Sequence, residues 1–175
     1  MKLIEKPNHG EYPPYADMYM KWLPDDGLVL QHLEDNFKMV KEFVLALPPG
    51  KLLHSYAPGK WTIKEILVHI VDDERIFAYR AMAFARNEKQ SLPGFDQDSY
   101  AFYSKANERP LENIFDEYEL VRKSTIAMFN GLPDESFMRM GTGSTTFQRA
   151  TVRALAYHIA GHEMHHINFI KEHYL

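Results

Sequence analysis

The chain has 175 residues, with 20 Lys and Arg against 24 Asp and Glu, nine His and no Cys. Its 45% hydrophobic and 13% aromatic content suits one compact core in the range of about 100 to 200 residues usual for a domain, which excludes global disorder. The lack of Cys excludes disulfides, thiolate metal ligands, iron–sulfur clusters and a Cys nucleophile, and a formal charge of −4 with mixed signs offers no footprint for nucleic acid.

No apolar run approaches the roughly 18 residues a spanning helix needs, and Met1-Lys2-Leu3-Ile4-Glu5 lacks the apolar region of a signal peptide. A soluble, cytoplasmic protein with no membrane partner is therefore expected. Residues 1–24, with Pro7, Pro13, Pro14 and Pro24, read as an irregular arm on the surface of a single domain over residues 25–175. From Asp25 the spacing of Leu28, Leu30, Leu33, Phe37, Val40, Val44 and Leu47 predicts a first helix that Pro48-Pro49 stops. Thr62-Ile63-Lys64-Glu65 has the capping-box form, in which the Thr and the Glu three residues on satisfy each other's backbone donors, so a second helix runs from Thr62 to about Arg86.

A loop over Leu92-Pro93-Gly94-Phe95-Asp96 leads to a short helical stretch from Asp96 to Ala106. Pro110 suits the first turn of a third long helix carrying Ile114, Tyr118, Val121, Thr125, Met128 and Phe129 as far as Gly131. Leu132 to Gln148, with Gly141-Thr142-Gly143-Ser144, reads as loop or a small hairpin, and Thr151 caps a last helix that runs almost to the C-terminus. Four long helices without a strand run or repeat predict an all-α four-helix bundle, with two long connections that leave simple up-down order open.

On the last helix His158, His162 and His166 recur every four residues, and His165 adds a neighbour, so the four side chains span about 100° of the circumference. Leu155 and Phe169 share that stripe, which therefore faces inward. Several inward imidazoles each need a partner when neutral and repel when charged, a conflict that a bound cation removes. His158 with His162, or His162 with His166, can converge on one ion, whereas residues eight apart lie about 12 Å apart along the axis and cannot. His69 on the second helix is the candidate third ligand; His32 reads as a solvated edge, and His9, His54 and His173 as ordinary surface residues. The Asp72-Asp73-Glu74 cluster reads as a solvated face, with Glu74 able to pair with Arg75 or Arg80. No G-x-S-x-G, phosphate-cradling loop or H-E-x-x-H is present, because His165 falls one residue early after His162-Glu163.

The segments Trp61-Thr62-Ile63-Lys64-Glu65-Ile66-Leu67-Val68-His69-Ile70, Asp73-Glu74-Arg75-Ile76-Phe77-Ala78-Tyr79-Arg80, Leu92-Pro93-Gly94-Phe95-Asp96 and Ala160-Gly161-His162-Glu163-Met164-His165-His166 resemble the DinB-like superfamily of metalloenzymes, from about Trp22 to Leu175. The resemblance implies a four-helix bundle of the DinB-like type whose second and last helices bind a divalent ion through His69, His162 and His166, with His158 outside the family pattern. Relatives with assigned activities include bacillithiol S-transferases and mycothiol-dependent maleylpyruvate isomerases.

A three-histidine site leaves the ion its full double charge, which favours deprotonating a bound water or low-molecular-weight thiol. The expected function is therefore a metal-dependent thiol S-transferase or hydrolase on a small molecule, with thiol transfer favoured by the resemblance. Zinc or nickel is expected ahead of iron or manganese, and Asp73, His158 and His165 are the candidates for proton transfer or ligand orientation. The alternative is a non-catalytic, metal-stabilised dimeric binding or stress-response protein. A homodimer through outer helix faces is expected in either case, from the wealth of aromatics and of methionines such as Met18, Met20, Met39, Met82 and Met128.

Overall fold

The computed structural model describes residues 1–143 and 148–175, so Ser144 of the expected hairpin lies outside the described residues. The second predicted helix forms as its capping box requires: Thr62 accepts from the Glu65 backbone N–H, Glu65 accepts in return from that of Thr62, and α3 runs over Ile63–Ala85. The first long helix, α2 (Val29–Leu45), begins four residues later than its periodicity predicts. Gly27 takes a left-handed turn at φ 73°, Asp26 accepts from the Leu28 N–H, and the Gly27 carbonyl accepts from Ile4 N at 2.9 Å, so this segment ties down the arm and cannot continue the helix.

Asp96 caps α4 (Gln97–Ser104) by accepting from Asp98 N and Ser99 N, and Lys105 at φ 51° ends it two residues short of expectation. After the turn at Ala106–Glu108, α5 (Leu111–Gly131) follows Pro110. The hairpin is real: β1 (Met140–Thr142) pairs antiparallel with β2 (Arg149–Thr151), Gly141 opposite Ala150. A Cβ on Gly141 would fall 2.0 Å from the Phe84 ring, so only Gly lets this strand lie against the end of α3. Thr151 then caps α6 (Val152–His173) by accepting from Ala154 N.

The four long helices close a bundle in which α3 packs on α6 and α5, and α2 packs on the other side of the same two helices. Two apolar clusters fill it. One holds Leu30, Phe77, Phe84, Phe129, Leu155 and Tyr157; the other holds Val40, Ile66, Ile114, Phe115, Ile167 and Ile170. Along α3, α5 and α6 the stretch between the clusters carries Asp73, Glu74, Arg122, His162 and Glu163, all buried. The bundle thus has a polar layer across its middle.

The arm departs from the expected irregular surface wrap. Pro14–Ala16 form a tight turn that leads into the short helix α1 (Asp17–Met20), which packs on α6, and Ile4, Tyr12, Ala16, Met20 and Leu23 are core residues. Of the methionines expected on outer faces, Met20 is therefore interior, Met39 and Met128 are half-buried, and Met18 and Met82 are exposed. Among the described residues no helix is long and apolar enough to cross a membrane.

Candidate metal centre

The four-residue repeat on α6 places His158, His162 and His166 on one stripe, and α3 sets His69 opposite. His162 Nε2 lies 3.2 Å from His69 Nε2 and 3.1 Å from His166 Nε2. Nitrogens of His69, His162 and His166 all lie within 4.8 Å of one another, the one cluster among the described residues arranged to hold a metal ion. A ring nitrogen has one proton or one lone pair, so His162 Nε2 cannot make a good hydrogen bond to both neighbours. Two ligands on a tetrahedral ion at about 2.0–2.1 Å are separated by about 3.3–3.4 Å, close to the spacings found here. The donor set and its geometry fit a divalent cation that accepts imidazole.

Burial pushes the pKa of all three rings down, and for His162 the adjacent His166 and His69 push it further, so that His162 and His166 stand well below the ordinary histidine value. The rings are neutral and able to ligate. Asp73 is buried behind them, its Oδ2 3.4 Å from His162 Nδ1 and 3.3 Å from His158 Nε2. Among the described residues neither Asp73 Oδ2 nor His158 Nε2 completes a hydrogen bond. A carboxylate facing Nδ1 favours the tautomer that turns the Nε2 lone pair toward His69 and His166. His158 is stacked on Phe77 at 3.6 Å between ring centres and lies outside the cluster.

The Asp72-Asp73-Glu74 segment is not the solvated face expected of it: Asp73 and Glu74 are buried, and only Asp72 reaches Arg75 at the surface. Among the described residues Glu74 pairs with Arg122 of α5, whose Nη2 lies 2.9 Å from Glu74 and 3.0 Å from Glu163, in place of the pairing with Arg75 or Arg80 expected from the sequence. Tyr118 also donates to Glu163, and Arg122 donates to the Leu33 carbonyl. Sequence reading missed this network. Its signal was an Arg at the four-residue step after Tyr118 in an otherwise apolar stripe. Tyr19 of α1 was missed too; its ring packs edge-on to His158, His162 and His165.

A cavity of about 740 Å³ opens in front of the cluster, with His165 and His166 in its wall. A groove of similar size between α2 and α5, lined by Phe37, Lys41 and Ile126, reaches none of these histidines. His9, His54 and His173 are exposed, and His32 pairs with Asp26 at 2.9 Å.

Over 146 residues, 81% of each chain, the sequence is 25% identical to a protein of Oceanobacillus iheyensis named "Putative metal-dependent hydrolase OB0413". A solved structure described as "YfiT from Bacillus subtilis is a probable metal-dependent hydrolase with an unusual four-helix bundle topology" superposes with a TM-score of 0.70 at 18% identity, over 95% of this chain and 90% of that one. The shared bundle is what that likeness shows. The description of the DinB superfamily matches residues 32–170, from the start of α2 through the last turns of α6, and the chain belongs to that superfamily.

Proposed function

We propose that this chain is a divalent-metal-dependent hydrolase of a small molecule, with His69, His162 and His166 as its protein ligands. The observation that carries the reading is the meeting of three imidazoles whose own hydrogen bonds cannot satisfy them, one of which, His166, lines a cavity. A divalent ion held there by neutral ligands supplies Lewis acidity toward a substrate oxygen or sulfur. Asp73, 3.4 Å from His162 Nδ1, is placed to orient that ring, and His158, stacked on Phe77, faces the same carboxylate. His165 lies in the cavity wall with its pKa lowered chiefly by burial, so it is neutral near pH 7 and placed to take up and return a proton.

The names of the relatives support hydrolysis over the thiol transfer expected from the family resemblance. Metal analysis of protein made without a histidine tag, followed by ester and amide hydrolysis assays with and without low-molecular-weight thiols, tests the reading. One ion per chain and turnover without thiol are expected, with the fold surviving chelation. Turnover only with an added thiol would make the chain an S-transferase, and unfolding on chelation would make the ion structural. We also infer a homodimer through outer helix faces that expose residues such as Met82; a single 20.4 kDa species at every concentration in sedimentation would remove it.

A further inference from the structure

We propose that the cavity in front of the histidines selects a substrate bearing an ammonium group, held by aromatic rings and by Asp98 and Glu65 while the reacting end points to His166. The orientation of the reacting end rests on the metal-dependent reading above; the ammonium subsite does not.

Five aromatic rings shape the walls: Tyr56, Trp61, Phe102, Phe169 and Tyr174. Tyr56 and Phe169 meet edge to face at 5.5 Å, and Trp61 reaches inward to lie 4.8 Å from the His69 ring, so the aromatic surface runs from the mouth to the cluster. Asp98, exposed at the mouth in the first turn of α4, has its backbone N–H taken by Asp96, while its carboxylate makes no hydrogen bond or ion pair among the described residues and faces water. Glu65 spends Oε2 on the Thr62 N–H at 2.8 Å and has Oε1 in hand. Lys60 is the one Lys or Arg in the lining, so the side chains of the mouth carry two formal negative charges against one positive.

Ring faces attract cations and not anions. An anionic ligand seated between these rings would meet both carboxylates, and a neutral apolar one would gain nothing from them. A cation on an apolar stem suits both, which is why the combination of rings with two carboxylates that face no cation of their own points to an ammonium compound and not to a metal ion or an acid.

Phenethyltrimethylammonium is a suitable probe, because its charge is permanent and it cannot ligate a metal; 2-phenylethanol serves as its neutral counterpart. Binding is read from the emission of Trp61 in the full chain carrying Trp22→Phe, which removes the only other Trp. Stoichiometric zinc binding is measured separately on the same protein. The cation should bind about 5-fold or more tightly than the alcohol, with or without zinc, and lose about 5-fold with Asp98→Asn, the scale of one partly exposed ion pair. Lys60→Met should tighten it, a change in the opposite direction that no loss of folding can imitate. Equal affinity for cation and alcohol, or no response to both Asp98→Asn and Lys60→Met, overturns the proposal even if zinc binds. Preference for the cation in a chain that binds no zinc would uphold the subsite and sink the metal reading instead.

Discussion

His162 faces two ways at once, with Nε2 toward His69 and His166 and Nδ1 toward Asp73. In the proposed centre, His69→Ala, His162→Ala or His166→Ala removes one of three protein ligands, and stoichiometric zinc binding should be lost in each. His158→Ala removes a ring that faces Asp73, Phe77 and, at 5.5 Å and nearly parallel, the His162 ring, but that belongs to no ligand set of the cluster, so affinity should fall only by about 10- to 100-fold, as for other groups that orient a ligand. Competition titration with a chromophoric chelator separates the two behaviours; complete loss in His158→Ala would show that the pair converging on the ion is His158 with His162. The four-residue spacing made the stripe legible in the sequence, because a helix period alone puts those rings on one face. Asp73 was legible only as a neighbour one turn from His69. Its burial is decided by α6, 85 to 89 residues away in the chain at His158 and His162, and nothing local reports that.

Between elements, two contacts hold the histidine helix in place, and each was hidden for the same reason. Gly161 sits inside α6, where a glycine ordinarily costs about 1 kcal/mol relative to Ala and reads as a mild flaw. Here a Cβ would come within 2.4 Å of the Tyr19 carbonyl, so Gly161 is what lets α1 lie against the helix beside His162. Gly161→Ala should therefore raise helix propensity yet displace α1, seen as faster amide exchange over Asp17–Met20 and weaker zinc binding. Unchanged exchange there would show that the arm yields without consequence. The second contact is Arg122, which lies between Glu74 and Glu163. Burial pushes Glu163 upward, and those two carboxylates hold Arg122 charged against the cost of burying it. Arg122→Met strands two buried carboxylates and should cost about 3–5 kcal/mol in urea unfolding, whereas Glu74→Leu/Arg122→Met/Glu163→Leu should recover most of it. A triple variant as unstable as the single one would mean the layer contributes more than mutual neutralisation. Local signals were enough for the caps at Thr62 and Thr151, which depend on three or four consecutive residues; Glu74 and Arg122, 48 apart, obey no local rule.

For the molecule as a whole, the polar layer divides the core, and the arm closes the half that holds Tyr157 and Phe84. The arm is fastened to the start of α6. Arg153 donates to Glu11 at 2.7 Å, the Glu11 carbonyl accepts from Thr151 N, and Tyr157 donates to the Ile4 carbonyl. The N-terminal segment read as surface because its prolines and aromatics have no period, yet its apolar residues supply one side of the core. Hydrogen bonding to Arg153, opposed in part by burial, lowers the Glu11 pKa from 4.5 to about 2. A carboxylate whose pKa is depressed on folding stabilises the folded state fully above its unfolded value, and that contribution fades as the pH drops through the folded value. Wild type should therefore exceed Glu11→Gln in stability by a constant margin from neutral pH down to about 4.5, with the margin shrinking toward pH 2. Comparing the two chains cancels the protonation of the histidines, which both share. Urea midpoints measured at half-unit steps between pH 7 and pH 3 decide it: a margin that does not change with pH would mean that the charge of Glu11 does not fasten the arm.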